Sequence, residues 1–380
     1  MLTQLKSWLY APVVLVEQIR ARKAASEHYQ QLDLVQDNLD AIEKNDILLF
    51  ATLFNEAHLL PSFLKHYRSL GVNHFIFIDN NSSDQGTALV TMDNDVSVFH
   101  TKASYKQANF GMHWVNGLLQ HYGCEHWCLT CDLDEHLIIG EQRGGDDSFE
   151  KQISPLESLC KRLETEPQKA LYAMMLDMYP RQSDNNFEGK KYPPENDLKV
   201  TTPYFDKSGY QYRFNNKYLS QMIRGGVRQR LFYSEQPNQA PALQKIPLVK
   251  WQSSYAYLSS MHTLSPRRLN LCYQQNETAA LLHYKFAPGF EVKVQQEETR
   301  RQHYDNSSEY NRYQQMQNPQ VLFDDAISLS FSGAEQLIGL GLIKSRNDSY
   351  QGSDFKENPS AGKDAVIKTE NTKTKVMRNG

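Results

Sequence analysis

Residues 47–84 read ILLFATLFNEAHLLPSFLKHYRSLGVNHFIFIDNNSSD, and this stretch decides the fold. Ile47 to Phe54 is a continuous apolar run, which is typical of a strand buried on both faces. Leu59 to Leu70 has a helical pattern that ends at Gly71, a residue suited to a helix C-cap. Phe75 to Ile78 is a second buried strand. A strand, a helix and another strand at such short intervals predict parallel strands with helices on the faces of the sheet.

The same alternation continues along the chain. Thr87 to Met92 is predicted as a short helix and Val96 to His100 as a third strand. Ala108 to Tyr122 has the pattern of a helix that ends at Gly123, and His126 to Leu133 is a fourth strand. The sequence therefore predicts an α/β fold with a mostly parallel central sheet flanked by helices.

Polar residues follow the predicted strands at the points where they end. These clusters are Asn55-Glu56, Asp79 to Asp84 and Asp132 to Glu135. Ligands of open α/β sheets bind beyond the carboxyl ends of the strands. The three clusters therefore predict one functional site at this edge of the sheet.

The last cluster contains an Asp-x-Asp motif. In a strand, residues two apart point to the same face, so Asp132 and Asp134 are expected to lie side by side. Two adjacent carboxylates repel each other unless a positive group lies between them. Mg²⁺ or Mn²⁺ meets that need and is often held by one or two carboxylates together with substrate phosphates. The motif predicts a site for a metal and a diphosphate; the alternative is two solvated acids in a loop.

The composition narrows the classes of function. The chain has 380 residues, of which 40% are hydrophobic and 22% charged, as in an ordinary soluble globular protein. The net charge of −3 argues against a protein that binds nucleic acid through a basic surface. The mean hydropathy is −0.63, and no apolar run approaches the ~20 residues of a membrane helix. Five cysteines, an odd number, argue against a disulfide scaffold and favour a cytoplasmic location.

The order of these motifs resembles the nucleotide-sugar half of glycosyltransferases with the GT-A fold, closest to their family 2-like branch. The stretch FLKHYRSLGVNHFIFIDNNSSDQGT, from Phe63 to Thr87, is characteristic of that branch. Later segments, KIPLVKW and LLHYKF, resemble the family-92-like enzymes. The resemblance covers roughly residues 46–290, so it implies a GT-A domain over that range.

The resemblance assigns the nucleotide pocket to Thr52, Asn55 and Glu56, around the end of the first strand. It assigns to Asp79 a hydrogen bond from the base, which is uracil in many members. Turn capping is the alternative for Asp79, and it is the favoured interpretation of Asp84. Within the Asp-x-Asp motif, it implies that Asp134 binds the metal and that Asp132 lies near the ribose or sugar and contributes to the metal site.

The second half of the chain offers further candidates. GT-A enzymes often complete the metal shell with a late histidine, for which His283 is the first choice and His262 the second. Lys285 follows His283 by two residues and is expected to neutralise the leaving diphosphate. Arg228, in a glycine- and arginine-rich segment, is a candidate phosphate ligand. The alternatives are core histidines and a glycine turn between strands with exposed arginines.

The resemblance implies transfer of a sugar from a nucleotide-diphosphate donor, most simply a UDP-sugar, to a hydroxyl of a glycan or a lipid-linked acceptor. Asp177 and Asp206 are the candidates for the catalytic base, and the sequence leaves inversion and retention open. A nucleotidyltransferase is disfavoured because no glycine-rich loop follows the first strand. A catalytically degenerate GT-A protein that binds glycans or acts as a scaffold is the second hypothesis.

Three further segments flank the predicted domain. Residues 1–45 are expected to be helical. Within them, Trp8 to Ile19 is apolar, too short to span a bilayer, and followed by basic residues. This segment packs on the domain or on a second subunit, or it contacts the inner face of the cell membrane. Residues 291–344 are predicted as a helical extension, and residues 345–380 as a disordered tail, since they are too polar to offset their ordering entropy.

Overall fold

The computed structural model describes residues 9–84, 86–140, 153–181, 198–287 and 322–346. The strands in these ranges are β1 (Asp33–Gln36), β2 (Ile47–Leu53), β3 (His74–Asp79), β4 (Val96–His100), β5 (Trp127–Thr130), β6 (Glu135–Ile138), β7 (Ala170–Asp177), β8 (Tyr204–Asp206), β9 (Gln211–Asn215), β10 (Ser220–Arg224), β11 (Gln244–Lys250), β12 (Ala256–Tyr257), β13 (Leu264–Ser265), β14 (Ala279–His283) and β15 (Ser328–Ser330). Nine of these described strands form one sheet in the order β1-β4-β3-β2-β5-β11-β7-β14-β6.

The central sheet is mixed. The pairs β4–β3, β3–β2, β2–β5 and β7–β14 are parallel, whereas β1–β4, β5–β11, β11–β7 and β14–β6 are antiparallel. The predicted α/β class is therefore confirmed, but the sheet is not mostly parallel. The difference arises because β11 enters between β5 and β7 in the opposite direction. Both neighbours of β11 consequently run the same way, together with β2, β3, β4 and β14.

Helices cover the sheet and the ends of its strands. They are α1 (Ala11–Tyr29), α2 (Leu60–Leu70), α3 (Met112–Tyr122), α4 (Pro155–Leu163), α5 (Leu198–Thr201), α6 (Gly226–Phe232) and α7 (Ala334–Gly339). Short 3₁₀ helices span Leu39–Ala41, Thr87–Val90, Pro237–Gln239 and Arg267–Gln274. As the sequence predicts, α2 ends at Gly71, whose φ of 102° lies in the left-handed region that favours glycine.

The core lies on both faces of the central sheet. Phe50, Ile76, Leu129, Leu248 and Leu281 come from five different strands, and each is fully buried. This explains why the strands read as continuous apolar runs rather than as alternating ones.

The N-terminal helix α1 packs against α3. Its Val14 and Ala25 are buried, and Tyr29 stacks on His121 with the ring centroids 3.7 Å apart. Gly117 makes this approach possible, because a Cβ there would lie 3.0 Å from the Ala25 carbonyl oxygen. Among the described residues, no helix is long and apolar enough to cross a membrane.

The predicted C-terminal segments fall only partly within the described residues. Of the helical extension expected over 291–344, the described part contains β15 and the short helix α7. Of the tail expected over 345–380, nearly all lies outside the described residues.

Candidate metal and nucleotide site

The predicted polar clusters do meet at one edge of the central sheet. The codirectional strands β2, β3, β5, β7 and β14 end there, and the oppositely directed β6 and β11 begin there. The register makes the convergence close, because His283 pairs with Asp177 on one side and with Glu135 on the other. Residues from four distant parts of the chain are thereby brought to one place.

The Asp-x-Asp motif lies in a turn and not in a strand. β5 ends at Thr130, and the Glu135 amide donates to the Asp132 carbonyl oxygen at 3.1 Å as the chain reverses into β6. The expectation that Asp132 and Asp134 share a strand face is therefore wrong. The side chain of Asp132 is 50% exposed, whereas that of Asp134 is largely buried.

A lysine from β11 neutralises two of the carboxylates. Lys245 is buried, and its Nζ lies 2.9 Å from Asp132 Oδ2 and 2.5 Å from Glu135 Oε1. Glu135 is itself fully buried. The cation that two adjacent carboxylates need is thus supplied by the protein, at least for this pair.

Asp132, Glu135 and Lys245 shift one another's pKa values. Burial raises the pKa of Glu135 to about 7, although Lys245 favours its ionised form. The partial burial of Asp132 also opposes its ionisation, but the Lys245 ammonium outweighs this effect and lowers the pKa of that carboxyl. Burial would lower the pKa of Lys245, yet the two carboxylates outweigh it and raise that pKa above the usual lysine value.

A second group of residues faces Asp134. His283 Nδ1 donates to Asp177 Oδ1 at 2.6 Å, which fixes the ring and directs Nε2 toward Asp134 Oδ2 at 3.7 Å. With the Nδ1 proton directed to Asp177, the other ring nitrogen faces a carboxylate oxygen. This arrangement is unfavourable unless a proton or a cation lies between the two atoms.

Arg228 holds Asp177 in place. Its Nε donates to Asp177 Oδ2 at 2.7 Å, and both side chains are buried. Burial raises the pKa of Asp177, but Arg228 and His283 outweigh it and lower it to about 2. The two glycines before Arg228 open helix α6 instead of forming a turn between strands, and the arginine is not exposed. Arg228 therefore positions Asp177, and through it His283.

The residues at this place fit a divalent ion. Ligand atoms of Asp134, Glu135 and His283 all lie within 4.8 Å of one another. Two ligands about 2.1 Å from one ion lie about 3.0–4.2 Å apart, and the separation of 3.7 Å between His283 and Asp134 falls in that range. Asp177 plays the part of the outer carboxylate that commonly orients a metal-binding histidine.

The nucleotide-pocket candidates lie at the ends of β2 and β3. Asp79 is almost fully buried, and its Oδ1 accepts from the Ser82 amide at 3.0 Å. Its Oδ2 makes no hydrogen bond to a described residue. Asn55 Oδ1 accepts from the Ser83 amide at 2.7 Å, so Asn55 ties the two strand-end loops together. The Thr52 hydroxyl is buried and has no hydrogen-bond partner among the described residues.

Glu56 and Asp84 lie in these same loops. Glu56 lies three residues beyond the end of β2 and is half-buried. Asp84 accepts from the amides of Ala57 at 2.8 Å and Gly86 at 3.1 Å, as the capping interpretation predicts. Asp84 therefore shapes the loop.

Other candidates are not brought to the same point. His262 donates from Nδ1 to the Gln244 carbonyl at 2.5 Å, and burial lowers its pKa to about 4. It is not in the described group of possible metal ligands. Lys285 lies two residues beyond the end of β14, so its spacing from His283 does not place the two side chains on one strand face.

Asp206 is held in an ion pair away from the metal group. Its oxygens accept from Arg230 at 3.0 Å, and Oδ1 also accepts from Tyr179 Oη at 2.5 Å. Both candidate bases therefore have occupied oxygens: Asp206 accepts from Arg230 at both, and Asp177 accepts from Arg228 at one and from His283 at the other.

Sequence reasoning missed Lys245. A signal was present, because Lys245 directly precedes the apolar residues IPLV in a segment that is buried in the sheet. A buried lysine requires a partner. The sequence alone did not show that β11 lies beside β5 and would bring that lysine to the acids.

No protein-family model matches this chain, and no curated protein matches it.

Proposed function

We propose that this protein is a GT-A fold glycosyltransferase that uses Mn²⁺ or Mg²⁺ to transfer a sugar from a UDP-sugar to a hydroxyl of a glycan or lipid-linked acceptor. The observation that carries the proposal is the approach of His283 Nε2 to Asp134 Oδ2 at 3.7 Å, with Glu135 close by. This donor set, at the carboxyl edge of an α/β sheet, suits a hard divalent ion and a diphosphate.

Asp134 and His283 would hold the ion, and Asp177 would keep the histidine ring in its orientation. Bound there, the ion would stabilise the negative charge that develops on the departing diphosphate. Lys245 keeps Asp132 and Glu135 from repelling an anionic donor. The half-exposed Asp132 remains able to meet the ribose or sugar, the role that the sequence resemblance implies.

The nucleoside would lie along the ends of β2 and β3. Asp79 Oδ2 and the Thr52 hydroxyl are polar groups without partners among the described residues, although both sit in largely buried surroundings. Buried polar groups usually have partners, so the buried Thr52 hydroxyl favours a polar ligand at this place. The imide N–H of uracil is a suitable donor for Asp79.

A thermal-shift panel tests this proposal. UDP-, GDP-, dTDP- and CMP-sugars are each added with and without Mn²⁺ to the wild type and to Asp134→Asn. A ligand at 100 times its dissociation constant stabilises by about 2.7 kcal/mol. We expect a metal-dependent shift with the UDP-sugar alone, and its loss in the variant. His262→Gln serves as the matched control, since His262 is not among the described metal ligands.

Lys245 favours a second candidate function. Because it already neutralises Asp132 and Glu135, most of the acidic cluster is stable without an ion. A GT-A protein that binds glycans without catalysis would need no more than this. The absence of a shift with any donor, from folded protein, would favour this candidate over the transferase.

A further inference from the structure

Helix α1 presents a polar and small face to the protein body. Val14 and Ala25 are buried, Glu17 accepts from Lys217 Nζ at 2.6 Å, and Gln18 Oε1 accepts from Ser265 Oγ at 2.9 Å. At about 100° per residue these four positions fall within about 100° of the helix circumference. The opposite side of the helix is therefore directed away from the body.

That outward side is apolar over two turns. Four aliphatic side chains there are each about half exposed: Val13 (47%), Leu15 (55%), Val16 (45%) and Ile19 (57%). Exposed aliphatic residues that occur singly need no explanation, but four grouped on one helix face mark an interaction surface. We call these four residues the α1 patch.

Basic residues continue the same surface. Arg20, Arg22 and Lys23 are exposed in the next turn, and Arg20 and Lys23 lie on the side of the α1 patch, where Lys23 also forms an exposed ion pair with Glu27 at 3.7 Å. The helix carries three basic and two acidic residues, a net charge of 3 − 2 = +1, whereas the whole chain has −3. An apolar patch beside basic side chains suits the surface of an anionic bilayer, which offers acyl chains to the first and headgroups to the second.

We propose that the α1 patch docks on an anionic lipid bilayer, with Val16 and Ile19 in the acyl boundary and Arg20 and Lys23 among the headgroups. The patch from Val13 to Ile19 is about 9 Å long, too short to cross a bilayer but sufficient to lie in its interface. A second copy of the chain is the other occupant that would cover these aliphatic side chains, and the experiment below distinguishes it from a bilayer.

The full-length protein is tested by co-sedimentation with vesicles. One set contains about 30% phosphatidylglycerol in phosphatidylcholine, and the other is pure phosphatidylcholine. We expect the wild type to sediment with the anionic vesicles and Val16→Asp/Ile19→Asp to bind them at least ~10-fold more weakly. Each of Arg20→Gln and Lys23→Gln should weaken binding about fivefold, the usual contribution of one cation near an anionic surface.

Leu89→Asp/Met92→Asp is the matched control, because these side chains are 54% and 91% exposed on another segment. It should bind vesicles like the wild type. The proposal is overturned if the wild type stays in the supernatant, or if the control loses as much binding as the patch variant. It is also overturned if the wild type binds no vesicles but forms a dimer in sedimentation equilibrium, and the patch variant is a monomer.

Discussion

At the scale of single residues, the site is a series of side chains that hold one another in place. Arg228 holds Asp177, Asp177 orients His283, and His283 faces Asp134. Lys245 separately joins Asp132 to Glu135. Because these groups are mostly buried, each charge depends on its partner, and removing one leaves the other uncompensated.

Asp177 determines how the stability of the fold should change with pH. Its pKa is lowered to about 2 in the folded protein, so its contribution to stability is complete above its ordinary pKa and is lost as the pH falls toward 2. That contribution is about 2 kcal/mol. Asp177→Asn should reduce the free energy of unfolding by about 3–5 kcal/mol at pH 7.

The difference in the free energy of unfolding between the wild type and Asp177→Asn should decrease by about 2 kcal/mol from pH 5 to pH 2. Urea unfolding at several pH values, followed by circular dichroism, measures it. Asp40→Asn, at an exposed acid, should show no such narrowing. A gap that stays constant with pH would contradict the assigned charge of Asp177.

Lys245 should be required for the stability of the acidic turn. Lys245→Met leaves Asp132 and Glu135 facing each other without a cation, so we expect a loss of about 3–5 kcal/mol at pH 7. Lys245→Arg keeps the charge and should lose less. Mn²⁺ should raise the melting temperature of the methionine variant more than that of the wild type, which differential scanning fluorimetry can show. Equal stability of Lys245→Met and wild type would refute the role of this lysine.

At the scale of elements, the sequence predicts what is local. The sequence pattern predicts β2, β3 and β4 closely, and Gly71 ends α2 as expected. The turn after Thr130 was not predicted, because the apolar run continues through Cys131 and Leu133 to β6. The place of β11 was not predicted either, since long-range strand pairing leaves no local pattern.

The same contrast holds for the candidate site. The Asp-x-Asp motif and His283 could be found from the sequence, because acids at strand ends are visible in it. The ion pairs of Asp177 with Arg228 and of Glu135 with Lys245 could not, because they join residues that are 51 and 110 positions apart. Only the assembled sheet brings those side chains together.

Gly225 sets the start of α6 and thereby the position of Arg228. Its φ is 146°, and a Cβ there would lie 2.6 Å from the Gly209 carbonyl oxygen. Gly225→Ala therefore adds a clash to backbone strain, and we expect it to cost about 2–4 kcal/mol. Gly333→Ala is the matched control, since its φ of 135° is similar but nothing lies within 4 Å of its added Cβ.

Chemical denaturation of the two alanine variants measures the difference. The loss of stability in the Gly333 variant measures the backbone strain alone, about 1 kcal/mol. The additional loss of stability in the Gly225 variant measures the clash. Equal losses in both variants would show that the contact with Gly209 does not hold the helix.

At the scale of the whole molecule, we expect the fold to be stable without a metal ion. The buried carboxylates Glu135 and Asp177 are each paired with a cation of the protein. We therefore expect a chelator such as EDTA to leave the melting temperature unchanged, while Mn²⁺ together with UDP raises it. Scanning calorimetry of the full-length protein measures both. Unfolding by EDTA alone would point to a structural metal instead of one that binds with the donor.

Electron paramagnetic resonance of Mn²⁺ tests the central claim most directly, because free Mn²⁺ gives a six-line signal that weakens on binding. The wild type, titrated with Mn²⁺ in the presence of UDP, should remove one equivalent of free ion. Asp134→Asn and His283→Gln should lose this binding, whereas His262→Gln should retain it. If the wild type leaves the free signal unchanged, or if Asp134→Asn binds Mn²⁺ like the wild type, the assignment of this site is contradicted.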